Sequence, residues 1–416
     1  MAEEIGEKVR TAAEGVARTS YGKLIAFLAA LTGNVAAAED ALSEAFAAAL
    51  TDWPVKGVPD TPEAWLMTVA RRRIIDGARQ RRTAAEASDH LRLIAEEIES
   101  SVSTEHEIPD NRLALMFACA HPAIDSALHA PLILQTILGF DAATIASAFL
   151  VAPSTMGQRL VRAKSKMKDA GIPFRVPDAS ELRERLDAVL AAIYAAFAEG
   201  WSDPVGTEAR RRNLAAEGIW LGRLVVSLLP EEPEALGLLA LMLHAEARRG
   251  ARRDDDGNYV PLAEQDTERW DALLISEAET LLLRASRLGK IGRYQLEAAV
   301  QSAHVVRRRT GSADWAAIEK LYDALFDLTH SPVVALNRSI AIAEVEGAEA
   351  GLAALDALAA EPRLVQYQPY WAARAGLLAR AGRADAAHTA YARAIGLETD
   401  PAVRRFLQQR QAVLRH

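Results

Sequence analysis

Between Val35 and Ala49 the apolar residues return every three or four positions: Val35, Ala38, Leu42, Ala45, Phe46 and Ala49. That spacing gathers them on one side of a helix. Glu39, Asp40, Ser43 and Glu44 fall together on another side. The "TGN" ahead of them ends a first helix predicted over roughly Glu7 to Leu31, and Asn34 is placed to cap the second. After the turn-rich "DWPVKGVPDTPE", Thr61 caps a third helix and Pro62 opens it, where a missing N–H costs nothing. In that helix Leu66, Ala70 and Ile74 line one side, while Arg71, Arg72, Arg79 and Arg82 line another.

Thr83 to Asp110 breaks the pattern. It is polar and reads as a linker that holds at most one marginal helix around Leu91, Leu93 and Ile94. Periodicity resumes from Asn111 to Gly171. Ala142, Ile145, Ala146 and Phe149 form the apolar face of a short helix, "LVAPST" makes a tight connection, and Met156, Leu160, Ala163 and Met167 form the buried stripe of the next. Thr155, Gln158, Arg159, Arg162 and Lys166 occupy the opposite stripe. Two helices, a turn of three or four residues, and a second helix with polar and basic groups near its start read as a helix-turn-helix. In a major groove Gln158 suits adenine, the arginines suit guanine, and Ser154 and the lysines suit phosphates.

From Glu181 to His416 the pattern is nearly continuous helix, rich in alanine and leucine. "RRDDDGNYVPLAEQD" is one long interruption, with a hairpin-like turn at "DDDGN", expected on a functional edge or against the preceding domains. In "WAARAGLLARAGRADAAHTAYARAIGL", Ala387, Tyr391 and Ala394 match the small–aromatic–small spacing of a tetratricopeptide second helix. "SPVVALNRSIAIAEVEGAEAGLAALDALAA" reads as another helical pair. The expectation is an all-α protein: two small helical domains, the second with a helix-turn-helix, joined by an acidic linker and followed by a large helical-repeat domain. The boundaries expected are 1–82, 83–110, 111–175 and 181–416.

Charge sharpens this picture because its distribution differs from its sum. The net charge is −8. Yet six arginines face two acids between Pro62 and Arg82, eight acids face one base between Thr83 and Asp110, and five bases face one acid between Pro153 and Ala170. Two basic helices separated by an acidic tether suit two sites on a polyanion held a fixed distance apart. Trp65 beside the triple arginine adds base stacking to phosphate neutralisation.

The remaining composition narrows the class. A single cysteine, Cys119, excludes an intramolecular disulfide and fits a reducing cytoplasm. The acidic start carries no apolar signal core, and no apolar run approaches the roughly 18 residues a membrane span needs. Cys119 and His121 in "FACAHP" are too few for a metal site, and the aspartates 254–256 read as a solvated loop. No phosphate loop, nucleophile elbow or paired-ligand helix motif occurs, so neither an enzyme nor a cofactor is expected.

"AEDALSEAFAAAL", "AWLMTVARRRIID" and "ATIASAFLVAPSTMGQRLVRAKSKM" resemble the corresponding segments of bacterial extracytoplasmic-function (group IV) RNA polymerase sigma factors. The long helical tail makes the whole chain similar to the subgroup with a C-terminal tetratricopeptide-like extension. The resemblance implies a protein that joins core RNA polymerase and directs it to promoters. It implies that the second helix grips the β′ clamp helices through Glu39, Asp40, Leu42, Glu44 and Phe46, with Ser43 standing where a glutamine is usual. It implies that the third helix meets the −10 element through Trp65, Arg71, Arg72, Arg73 and Arg79, with Arg72 replacing the usual asparagine. The recognition helix would meet the −35 element through Ser154, Thr155, Gln158, Arg159, Arg162 and Lys166. The partners so implied are core polymerase (β′ clamp helices and β flap), promoter DNA, and a protein or small-molecule regulator on the C-terminal domain, with no membrane. The rival reading is a one-component helix-turn-helix regulator with a helical sensing domain. It leaves the Trp65–arginine helix and the acidic face at Glu39–Glu44 unexplained.

Overall fold

The computed structural model describes residues 2–82, 109–149, 151–201 and 209–414. Among these the chain is helical throughout, without strands; Arg253 and Tyr259 form an isolated antiparallel bridge. It divides into two compact units, residues 1–200 with 216–218, and residues 201–215 with 219–416. The helix at the start of the expected extension therefore clusters with the N-terminal unit. The expected linker helix around Leu91 to Ile94 lies outside the described residues.

In the N-terminal unit α1 spans Ala2–Thr32, α2 Val35–Lys56 and α3 Pro62–Arg82. Asn34 caps α2 as its sequence position implies, with Oδ1 accepting from the Ala37 N–H at 3.3 Å. The expected turn beginning at Asp52 is shorter than its sequence implies, because α2 runs on through Pro54. Trp53 is the reason: fully buried, it packs edge-to-face on Trp65 of α3 at 5.5 Å and ties the last turn of α2 to the core. The chain leaves that helix at Gly57, whose φ of 85° needs a residue without a β-carbon.

The helices that follow are α4 (Arg112–Cys119), α5 (His129–Leu138), α6 (Ala142–Ala148), α7 (Pro153–Asp169) and α8 (Ala179–Trp201). Of these, α4 and α5 pack against α1 and α7 packs against α2. The closest approach is at Gly22, where a β-carbon would lie 2.3 Å from the Ile137 carbonyl oxygen. Cys119 is fully buried with its Sγ 3.5 Å from the Thr136 hydroxyl, and burial pushes its thiol up to about 12.

The C-terminal unit runs through α9 (Ala209–Leu228), α10 (Pro233–Ala247), α11 (Ala272–Arg287), α12 (Arg293–Val305), α13 (Arg307–Thr310), α14 (Trp315–Thr329), α15 (Pro332–Val345), α16 (Ala348–Asp356), α17 (Gln368–Arg380), α18 (Ala384–Leu397) and α19 (Pro401–Val413). From α14 onward each helix packs on the next in sequence. The two helical pairs expected from the sequence are α15 with α16 and α17 with α18, and Ala387, Tyr391 and Ala394 are buried between neighbours. The long interruption is a hairpin turn: the Asp254 N–H bonds the Asn258 carbonyl at 3.1 Å, and the Asp254 carboxylate accepts from the Asp256 and Asn258 N–H groups. Those hydrogen bonds hold the Asp254 carboxyl below its usual value. The loop is fastened to α19 by Arg253 with Asp400, Arg410 with Glu264, and Tyr259 against Phe406.

Candidate nucleic-acid interface

The helix pair α6–α7 has the geometry its pattern implies. Ile145 and Ala146 of α6 are buried, Met156, Leu160, Ala163 and Met167 of α7 are buried, and the Val151 N–H closes the turn on the Ala146 carbonyl at 2.9 Å. Pro153 stands at the first turn of α7, where its missing donor is harmless. A β-carbon on Gly157 would meet Ala142 Cβ at an ordinary 3.8 Å, so packing does not require glycine there. Opposite the buried stripe, Ser154, Gln158, Arg159, Arg162 and Lys166 are exposed and Thr155 is half-buried. Arg159, Arg162 and Lys166 have no ion-pair partner among the described residues. Val161, 65% exposed, sits within this polar surface.

Lys164 departs from its basic neighbours. It is buried, and its Nζ donates to Glu39 Oε2 of α2 at 2.5 Å across 125 residues of sequence. Burial raises the Glu39 carboxyl above its ordinary value while Lys164 pulls it back. A sequence signal for this existed: Leu160, Ala163, Lys164 and Met167 complete a helical stripe in which the lysine replaces an apolar residue. The long stem of a lysine fills such a position while its ammonium finds a carboxylate.

On α2 the expected clamp residues separate. Asp40 and Glu44 are exposed, Glu39 is half-buried in its pair with Lys164, and Phe46 is half-buried. Leu42 is fully buried, so it supports the face from beneath and presents nothing to a partner. Glu44 meets Arg73 of α3 at 3.2 Å, both side chains remaining half in solvent.

On α3 the arginines also separate. Arg71 lies over the Phe27 ring at 4.8 Å, and its partial burial lowers its pKa. Arg72 and Arg73 are exposed. Trp65 keeps part of its surface in solvent while its ring meets Trp53. Arg79 lies on the helix, with its side chain outside the described residues.

Residues 16–84, which contain this α2–α3 surface, match the model of sigma-70 region 2. The chain belongs to the sigma-70 family. As a sigma factor it acts in transcription initiation, with core RNA polymerase and promoter DNA as its partners, and its family is non-enzymatic. Region 2 accounts for the tryptophan–arginine helix that a one-component regulator leaves unexplained. Residues 185–286 match a family of unknown function, DUF6596, which is consistent with a sigma factor carrying an extension. The sigma factor is 40% identical over 371 residues to an uncharacterized protein of Rhizobium meliloti (strain 1021), covering 88% of this chain and 87% of that one. No solved structure matches it. No described helix is long and apolar enough to cross a membrane.

Proposed function

We propose that this sigma factor is of the extracytoplasmic-function type, with region 2 in residues 1–82, a linker over 83–110, region 4 in 111–175 and a modulatory tetratricopeptide-like extension from 181. The observation that carries the reading is the exposed cation stripe of α7, without an ion-pair partner among the described residues, in a chain that matches region 2 separately. In this reading Ser154, Thr155, Gln158, Arg159, Arg162 and Lys166 meet the −35 element. Trp65, Arg72, Arg73 and Arg79 meet the −10 element, with Arg71 braced on Phe27 behind them. Asp40, Glu44 and Phe46 meet the β′ clamp helices. Glu39 belongs to that face only when its pair with Lys164 is released.

Run-off transcription with purified core polymerase is the test. The full chain should direct promoter-specific initiation, and reversing Asp40 and Glu44 to lysine should weaken its association with core while leaving helicity intact. Unchanged association removes the clamp role. A chain ending at Gly200, the end of the main N-terminal segment, should transcribe differently from the full chain at matched amounts of folded protein. Equal activity across promoters removes the modulatory role.

A further inference from the structure

A cavity of about 560 Å³ opens within the C-terminal unit. Small-molecule sites typically occupy about 300–1,000 Å³. The loop that interrupts the helical pattern forms one wall through Pro261, Leu262 and Ala263, continued by Trp270. His304 and Arg307 form a second, and Trp315, Tyr322 and Glu344 close the rest. The lining includes three large aromatic side chains, those of Trp270, Trp315 and Tyr322. His304 and Trp315 meet edge-to-face, with ring centroids 5.3 Å apart at 88°.

The charges around this cavity do not balance locally. Arg307 donates Nη1 to the Leu262 carbonyl and Nη2 to the Gln265 carbonyl, each at 2.7 Å, and no described carboxylate pairs with it. Arg248, which stands outside the lining, is half-buried and donates to the His244 carbonyl and to Gln301 Oε1. Burial pushes its guanidinium down to about 10. Both arginines are near enough to His304 to add to the burial that lowers its pKa to about 4, so the imidazole is neutral at pH 7. Glu344, the acid in the lining, is already taken by Arg380. Trp270 is buried and its indole N–H has no acceptor. Elsewhere in this unit arginines meet carboxylates, as Arg338 meets Asp323 and Arg410 meets Glu264.

A half-buried cation that meets no described carboxylate keeps part of its desolvation cost, and a carbonyl dipole offsets only part of it. The cavity therefore presents a cation without a described counter-charge beside flat aromatic walls. We propose that it binds a small aromatic carboxylate, with the ring among Trp270, Trp315 and Tyr322 and the anionic group offset by Arg307. A neutral ring gains the walls and not the charge. A cationic ring is repelled. The site lies wholly in the C-terminal unit, so its binding does not depend on how the chain acts in transcription.

Calorimetric titration of the full chain with three probes sharing one ring tests this: 1-naphthoate, naphthalene-1-methanol and 1-naphthylmethylammonium. Naphthoate should bind at least about tenfold more tightly than the alcohol, the step one added charge-assisted contact provides, and the ammonium should give no heat. Ala313→Trp fills the cavity without touching a cation and should abolish naphthoate binding. Arg307→Met should remove the preference for naphthoate over the alcohol, and Arg307→Lys should keep most of it. Thermal unfolding by circular dichroism shows which variants are folded. The lysine–methionine pair decides if Ala313→Trp does not fold. Equal affinity for the three probes, no naphthoate heat at millimolar concentration, or full binding by folded Ala313→Trp overturns the proposal, and each leaves the sigma-70 assignment standing.

Discussion

The exposed cations of α7 and many arginines of the C-terminal unit are used in opposite ways. On α7, Arg159, Arg162 and Lys166 stand exposed and meet no carboxylate among the described residues. In the C-terminal unit Arg223 meets Glu277 at 2.7 Å, Arg374 meets Asp356 at 2.5 Å and Arg383 meets Glu349 at 2.5 Å. A helix proposed to meet a polyanion keeps its charge available. A stack of helices that needs only to stay together spends that charge on its own acids. Each region also holds exceptions. Lys164 is the cation of α7 that is paired, and Arg248 and Arg307 are cations of the second unit that are not. The exceptions mark where one part of the protein holds another, and where a counter-charge is missing.

The contrast breaks most strongly if new unpaired cations are forced into the C-terminal unit. Acid does this at His244 and His304, both of which burial holds at about 4. His244 Nε2 lies 3.5 Å from Glu279 Oε1, too far for a good hydrogen bond, so the neutral form prevails there. Their folded pKa values lie below the ordinary histidine value of about 6.5, so the unfolded chain binds more protons between pH 6.5 and 4. Stability is flat with respect to these groups above that window and falls as pH drops through it. The loss is roughly 3 kcal/mol for each histidine once the drop is complete. Urea unfolding of the full chain at stepped pH measures it, and His304→Gln should remove about half of the histidine-linked slope.

Next in size is the pair that joins α7 to α2. Glu39→Gln leaves Lys164 buried without its carboxylate and should cost about 3 kcal/mol, whereas Glu39→Leu with Lys164→Met should cost much less. If the single substitution is as mild as the double, the pair contributes nothing to the packing of the N-terminal unit. Hydrogen exchange in α2 and α7 of the full chain reads this directly.

Removing unpaired cations should act on DNA and leave the fold alone. Arg159→Ala with Arg162→Ala should weaken promoter binding by the holoenzyme about tenfold or more, and should lower the magnitude of the salt slope by about two. Gln158→Ala should instead relax base preference at one position. A salt slope unchanged in the double variant would show that the two arginines touch no phosphate.

The smallest effect should come from a surface pair. Arg383→Ala removes an ion pair whose partners are more than half exposed, and should change stability by no more than about 0.5 kcal/mol. A larger loss would mean that these pairs act as a network along the helical stack.

Local features were legible in the sequence and distant ones were not. The Asn34 cap, the buried stripe of α7, the hairpin turn at Asp254 and the burial of Ala387, Tyr391 and Ala394 each depend on spacing within a few residues. The run of α2 through Pro54 was not legible, because proline in a last turn is decided by what holds that turn, here Trp53 on Trp65. Nor was the division within the arginines of α3, since only the neighbouring helix reveals that Arg71 lies on Phe27. The Glu39–Lys164 contact and the cavity join residues 125 and up to 83 positions apart in sequence. Helical period says which face a residue occupies and not which other face it meets.

Gly22 sets a limit on how the N-terminal unit can change over time. Its neighbour at the crossing is a main-chain carbonyl, that of Ile137, not a side chain. A clash with a side chain can be relieved by shortening that side chain, so a second substitution restores the fit. Every residue type at position 137 carries the same carbonyl, so no exchange there makes room for a β-carbon at position 22. An ordinary contact of 3.4 Å in place of 2.3 Å would require the two helices to part by about 1.1 Å along the whole crossing. Drift at this position thus has no compensating partner.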